Sequence, residues 1–210
     1  GIAQRQRKPW QDPPRGTGDA VRVALPALGE ATRVVVLAGD VPLLTAETLA
    51  RLEGALDADL SAGIAVLTAV LPDAGAYGRV VRDGNGRFAR IVEAKDATPE
   101  ERTIGEINSG IYVFDRAVLE RELPRLTDDN AQKEFYLTDV LGYAVGDGIG
   151  VVAIPVADPA EVLGVNSRLE LSEVDSLLRR RATRAAMAAG ATLIRPETIT
   201  LDAGVTFGPD

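Results

Sequence analysis

The sequence predicts a mixed α/β domain followed by a helical arm, on three observations. Short apolar runs rich in β-branched residues alternate with stretches of helical spacing; the turn signal Asp83-Gly84-Asn85-Gly86 separates two strand-like runs; and from Ser167 onward Leu169, Leu171, Val174, Leu177 and Leu178 recur at helical spacing among charged residues. Alternation of the first kind builds a sheet with parallel members, and the hairpin adds an antiparallel part.

Residues 33–38 read as a strand, and Thr45 as the N-cap of a helix over 46–56. Residues 64–71 form the next strand. Residues 77–82 and 87–92 flank the turn and pair as a hairpin. Residues 107–114 are a strand, Asp115 is placed to cap the helix that follows, and 119–126 continue it. Residues 135–145 read as a further helix and 151–155 as a late strand. One long helix then spans 167–190, ended by Gly190 and reaching roughly 30 Å at about 1.5 Å per residue. Beyond it Ile194, Ile199 and Val205 stand loosely spaced among turn residues, which suggests the first coil of a β-helix. Such coils bury little alone and need at least about three to be stable.

With 210 residues, 46% of them apolar, the chain has material for one large domain or one domain plus an appendage. No stretch approaches the roughly 18 apolar residues of a membrane helix, so membrane insertion is not expected. There is no cysteine, which excludes disulfides, thiolate metal sites and cysteine nucleophiles from this chain. There is no histidine either, which rules out a Ser-His-Asp hydrolase and removes the commonest zinc ligand. A net charge of −8 argues against a nucleic-acid surface and against an anionic membrane. No signal sequence is seen, and a cytoplasmic location is expected. Oxygen-ligand chemistry remains, and hard cations such as Mg²⁺ take one or two oxygen side chains plus waters and substrate phosphates.

The apolar run Val34-Val35-Val36 leads to Gly39-Asp40-Val41-Pro42. A strand that delivers a carboxylate to its C-terminal end places it where open α/β sheets bind ligands, so Asp40 is the first candidate metal ligand. The alternative is an Asp that merely starts a turn.

Gly16-Thr17-Gly18, Gly39-Asp40-Val41-Pro42-Leu43, Tyr77-Gly78-Arg79-Val80, Ile91-Val92-Glu93-Ala94-Lys95-Asp96-Ala97, Ile107-Asn108-Ser109-Gly110-Ile111, Asn130-Ala131-Gln132, Tyr136-Leu137-Thr138-Asp139 and Gly164-Val165-Asn166 occur in one order along the chain. In that order they resemble the bacterial bifunctional UDP-N-acetylglucosamine pyrophosphorylase / glucosamine-1-phosphate N-acetyltransferase family, over essentially the whole chain. The resemblance implies a Rossmann-like nucleotidyltransferase mixed sheet lacking its first strand, a long linker helix, and the first coil of a left-handed parallel β-helix. The implied division is 1–166 for the uridyltransferase domain, 167–190 for the linker helix and 191–210 for the start of the acetyltransferase domain.

The implied reaction joins UTP to N-acetylglucosamine 1-phosphate, giving UDP-N-acetylglucosamine and pyrophosphate with Mg²⁺, in the supply of peptidoglycan and lipopolysaccharide precursors. It needs no histidine, because the sugar phosphate oxygen is already a nucleophile and pyrophosphate is a good leaving group. By resemblance Asp40 and Asn166 hold the metal; Gln11, Gly16 and Thr17 hold the uracil; and Gly78, Glu93, Asn108 and Thr138, with Tyr136 nearby, hold the sugar. For Asn166 the alternative is a helix cap, and Pro13-Pro14-Arg15-Gly16 reads by itself as a loop. The full-length parent is expected to be a homotrimer that also acetylates glucosamine 1-phosphate with acetyl-CoA.

Three positions depart from the family's pattern: Asp19 where histidine is frequent, Ala38 before Gly39-Asp40, and Ser167 after Asn166. Family members also begin with a strand and a glycine-rich phosphate loop that this sequence does not include, so it is read as truncated at both ends, with weak activity or none as it stands. Two other readings stay open: another sugar-1-phosphate nucleotidyltransferase, and a non-catalytic paralogue that binds a nucleotide sugar.

Overall fold

Around strand β5 (Glu106–Asp115) the computed structural model assembles a six-stranded mixed sheet; it describes residues 11–202 and 204–208. Strand β2 (Ala62–Val70) runs antiparallel along one edge of β5, and β6 (Gly150–Pro155) extends the sheet in parallel with β2. The other edge of β5 is shared. Near its start β5 pairs with β3 (Arg79–Arg82), through Arg79 opposite Ile107, and at its end with β1 (Arg33–Val36), from Tyr112 to Asp115. Strand β4 (Phe88–Val92) completes the hairpin with β3. The expected combination of parallel and antiparallel pairing is therefore present.

The switch of partner along β5 has a local cause. Between the pairs Val66 with Tyr112 and Thr68 with Asn108, one residue intervenes on β2 and three on β5. The surplus is folded at Ser109-Gly110, where Gly110 takes φ 77°, a conformation that disfavours residues with a Cβ. The Ser109 hydroxyl donates to the Leu67 carbonyl at 2.7 Å and accepts from the Ile111 amide at 3.2 Å, while the Asn108 side-chain oxygen accepts from the Gly110 amide at 3.1 Å. The Asn-Ser-Gly sequence thus satisfies the backbone groups that the bulge removes from the ladder.

Five helices accompany the sheet: α1 (Thr17–Ala24), α2 (Ala46–Ala58), α3 (Arg116–Glu122), α4 (Thr138–Gly146) and α5 (Arg168–Ala188). Ile64 and Val66 of β2 and Phe114 of β5 join Leu119, Leu137 and Leu141 in one buried cluster, which puts α3 and α4 over one face. Alternation turns Ala65 and Leu67 the other way, on the side taken by α2 with its buried Leu52 and Leu56. Thr45 caps α2 as expected, its hydroxyl accepting from the Thr48 amide at 3.1 Å.

Three elements differ from expectation. Helix α1 and the 3₁₀ turn Leu25–Leu28 occupy a stretch to which the sequence reading assigned no element. Helix α4 begins at Thr138 rather than at 135, because 135–137 are drawn onto the start of α1: the Phe135 amide donates to Arg15 O, Gly18 N donates to Phe135 O, both at 2.8 Å, and Leu137 N donates to the Thr17 hydroxyl at 3.1 Å. Asp115 stands at the N-cap of α3 but makes no side-chain cap there; its carboxylate lies 3.6 Å from the Arg33 guanidinium instead.

The chain divides into two compact units, one of residues 11–38 and Thr45–Pro159, the other of Gly39–Leu44 and 160–208. The second unit is carried by α5, capped by Ser167, whose hydroxyl accepts from the Glu170 amide at 3.2 Å. Arg181 of α5 donates to the Leu43 carbonyl at 2.7 Å. Among the described residues after α5 there is a 3₁₀ turn, Pro196–Thr198, and no strand. No helix among the described residues is long and apolar enough to cross a membrane.

Candidate active site

In the sheet-bearing unit β4 ends at Val92, and the next residue, Glu93, points into a cavity of about 250 Å³ lined also by Asp96, Asn130, Tyr136, Thr138 and Asp139. The Thr138 hydroxyl donates to Glu93 Oε1 at 3.0 Å, and the Tyr136 hydroxyl donates to Asp96 Oδ2 at 3.3 Å. Gly78 adjoins them: a Cβ there would lie 3.3 Å from Glu93 Oε2 and 3.0 Å from Ile91, so glycine keeps that carboxylate oxygen open. The Asn108 amide donates to Gly78 O at 2.9 Å, which ties the β5 bulge to the same place. The Asn108 side-chain NH₂ donates to the Tyr112 hydroxyl at 2.7 Å. Gly78, Glu93, Asn108, Tyr136 and Thr138 are therefore brought together, although Gly78 and Asn108 do not line the cavity itself.

Carboxylates dominate the cavity. Burial lifts the Glu93 carboxyl above the ordinary glutamate range, the Thr138 hydrogen bond draws it partly back, and the nearby Asp139 and Asp96 add to the rise. Asp139 is raised by burial and by Asp96, and burial with Asp96 pushes the Tyr136 phenol up to about 12. The cation on the wall, Arg90, is paired with Glu101. Acceptors crowded at this density disfavour an anionic group and suit a neutral ligand rich in hydroxyls.

Segment 15–18, with the expected uracil residues Gly16 and Thr17, is hydrogen-bonded to 135–137, of which Tyr136 lines this cavity. Gly16 has φ 104°, and a Cβ would meet Phe135 O at 2.7 Å. The packing of two backbone segments by itself requires glycine at this position. The Thr17 hydroxyl is likewise engaged with Leu137 N. Gln11 donates through Nε2 to Asp19 Oδ2 at 2.7 Å and to Gly16 O at 3.2 Å.

Asp40 and Asn166 belong to the other unit, both exposed. A loop contact joins them rather than the sheet: Val165 N donates to Asp40 O at 2.9 Å. A Cβ at Gly164 would lie 3.3 Å from Asp40 Oδ2 and 3.5 Å from Asn166 Nδ2, so the two side chains flank one space that glycine leaves clear. Ser167 rather than Asn166 caps α5, while the Asn166 amide donates to Glu170 Oε2 at 2.7 Å, leaving the Asn166 side chain without a capping duty. Among the described residues no group of three or more acidic, histidine or cysteine side chains could hold a metal. A carboxylate and an amide oxygen fit Mg²⁺, which draws its remaining ligands from water and phosphate.

The match to known proteins now decides the family. Residues 4–158 match the nucleotidyl transferase family model. The chain belongs to the nucleotidyl transferase family. The resemblance read from its ordered motifs also holds. It is 48% identical over 201 residues to the bifunctional protein GlmU of Geotalea uraniireducens, covering 95% of this chain and 44% of that protein. It is 47% identical over 210 residues to the GlmU of Corynebacterium efficiens, covering 100% of this chain and 43% of that protein. The chain thus spans less than half the length of the curated relatives it matches. Among solved structures, a Bacillus anthracis protein assigned as a glucose-1-phosphate thymidylyltransferase in complex with sucrose gives a TM-score of 0.57 at 20% identity, covering 80% of this chain and 62% of that one. A CMP:2-keto-3-deoxy-manno-octonic acid synthetase with CTP gives 0.55 at 21% identity, covering 78% and 68%. These two share the fold.

Sequence reasoning passed over Asp96, Asn130 and Asp139, which line the cavity, and Tyr112, which holds Asn108. The first three lay inside the quoted motifs and were discoverable there. Tyr112 carried no signal, because an alternating strand aromatic reads as core.

Proposed function

We propose that this chain forms the uridyltransferase part of a cytoplasmic UDP-N-acetylglucosamine pyrophosphorylase, with residues 1–166 as that domain, 167–190 as the linker helix and 191–210 as the start of a left-handed β-helix. The parent is read as the bifunctional homotrimer that also carries glucosamine-1-phosphate acetyltransfer from acetyl-CoA, serving cell-wall precursor synthesis. The observation that carries the reading is the acceptor-rich cavity of Glu93, Tyr136 and Thr138 in a chain 48% identical to a bifunctional GlmU.

In this reading Glu93 accepts hydrogen bonds from sugar hydroxyls through the oxygen that Thr138 leaves open, and Asn108, fixed by Tyr112 and the Gly110 amide, meets the N-acetyl group or a neighbouring hydroxyl. Gln11 reads the uracil, while Gly16 and Thr17 hold the floor of that subsite against 135–137. A phosphate oxygen of N-acetylglucosamine 1-phosphate attacks the α-phosphorus of UTP. The bond from that phosphorus to the bridging oxygen breaks, and its electron pair leaves with pyrophosphate. No protein base is required, so catalysis is positioning and charge neutralisation. Asp40 and Asn166 would hold Mg²⁺, which supplies Lewis-acid neutralisation of the phosphate charge when bound.

The test is pyrophosphate release from UTP by the longest natural polypeptide that contains this chain, with N-acetylglucosamine 1-phosphate against glucose 1-phosphate. Preference for the N-acetyl sugar is expected, and equal or reversed preference would contradict the reading.

A further inference from the structure

Asp19 is 1% exposed, yet it is a carboxylate in the first turn of α1. Arg15 donates to it through Nε at 3.2 Å and through a terminal nitrogen to Oδ1 at 3.1 Å, and Arg22 pairs with Oδ1 as well. Both guanidiniums stand over the Phe135 ring, 5.8 and 4.9 Å from its centroid. Burial by itself would raise the carboxyl; the hydrogen bonds from Gln11 and Arg22 and the charges of Arg22 and Arg15 outweigh it, and its pKa lies below the ordinary aspartate value. Asp19 is therefore an ionised, acceptor-only group.

That fact fixes Gln11. An amide side chain can present either its oxygen or its NH₂ to a ligand, and a rotation of its plane exchanges them. Here the exchange is blocked, because both neighbours of the Nε2 end, Asp19 Oδ2 at 2.7 Å and Gly16 O at 3.2 Å, are acceptors. Turning the amide would set its oxygen against a buried carboxylate and a carbonyl. Planarity then sends Oε1 away from Asp19.

We propose that Asp19 is a specificity-determining positioning residue that locks Gln11 with its carbonyl oxygen toward the nucleobase, so that the site accepts a base with a ring N–H and rejects cytosine. The proposal rests on the assignment of Gln11 to the base in the preceding section. Uracil and thymine carry a hydrogen on N3; cytosine has a lone pair there. An immobile oxygen pairs with the first two and repels the third, whereas a free amide could turn to serve either.

The test measures kcat/KM for UTP and for CTP in the longest natural polypeptide containing the chain, for wild type, Asp19→Asn, Gln11→Ala and the double variant, with thermal unfolding of each. Asp19→Asn should lower the UTP-to-CTP ratio about tenfold or more, Gln11→Ala should lower it too, and the double variant should fall no further than Gln11→Ala. If Asp19→Asn lowers the melting temperature but leaves the ratio unchanged while Gln11→Ala lowers it, the lock is refuted and the base assignment survives. If Gln11→Ala leaves the ratio unchanged, the base assignment fails and the proposal fails with it. Should Asp19→Asn not fold, 3-methyl-UTP given to the wild type decides: a lost ring N–H should abolish turnover, and efficient use would overturn the proposal.

Discussion

The Glu93 cluster and the Asp40–Asn166 pair represent opposite ways of building a polar site. Around Glu93 the groups are buried or half-buried except for the exposed Asp96, and three hydrogen-bonded pairs, Thr138 with Glu93, Tyr136 with Asp96 and Asn108 with Tyr112, are formed within the chain itself. Asp40 and Asn166 are exposed, joined through one backbone hydrogen bond, and separated by the space over Gly164. The first region carries its recognition in rigid protein partners. The second suits a hydrated cation whose other ligands come from outside the chain. Substitutions should therefore act on recognition in one region and on charge neutralisation in the other.

The largest effect is expected at Asp40. Asp40→Asn should lower kcat by about 10²–10³-fold and raise the Mg²⁺ concentration needed for half-maximal rate, while leaving calorimetric affinity for the sugar nucleotide largely in place. Next comes Glu93→Gln, which should weaken UDP-N-acetylglucosamine binding by about 10- to 100-fold. The same change should stabilise the fold at neutral pH. A carboxyl whose pKa is raised on folding contributes stability that is full below its unfolded value near 4.5 and is lost as pH rises through its folded value. The melting-temperature gain of Glu93→Gln should therefore be present at pH 7 and vanish toward pH 4.5. A loss of stability at pH 7 would show that burial and the charges of Asp96 and Asp139 do not strain this site.

Gly164→Ala should weaken Mg²⁺ binding by about tenfold, read by calorimetry with the metal alone, because its methyl group would stand 3.3 Å from Asp40 Oδ2. Unchanged metal affinity would remove Asp40 and Asn166 as a pair. The smallest effect belongs to Ser167→Ala, which should cost about 1 kcal/mol of stability through the lost cap of α5 and leave sugar binding unaltered.

Much of the fold could be read because its signals are local. Thr45 before an apolar period, the Asp83-to-Gly86 turn and the leucine spacing of α5 each act within a few residues, and each element formed. The turn shows why: the Asp83 carboxylate accepts from the amides of Asn85 and Arg87, and Gly86 takes φ 77°. Helix α1 escaped notice because its eight residues are held in place by bonds to 135–137, more than a hundred positions away, and no local pattern reports such a partner. The same distance explains the misplaced start of α4 and hides the packing that requires glycine at position 16. Asp115 was expected to cap and instead turned to Arg33, a competition that only the β1–β5 register reveals.

The site was legible in its residue types and not in its wiring. Glu93 and Thr138 could be named from motifs 45 positions apart, but their hydrogen bond comes from the approach of α4 to β4. The buried Asp19, seen in the sequence only as a departure from a family's pattern, was the least legible of all.

The central claim is that the Glu93 cavity recognises an N-acetylated sugar on a uridine nucleotide. Calorimetric titration with UDP-N-acetylglucosamine and with UDP-glucose, in Mg²⁺ and on a sample shown by circular dichroism to be folded, tests it most directly. The account predicts tighter binding of the N-acetyl sugar, with that preference lost in Glu93→Gln. Equal affinity for the two sugars, or no binding of either by the folded protein, would contradict it.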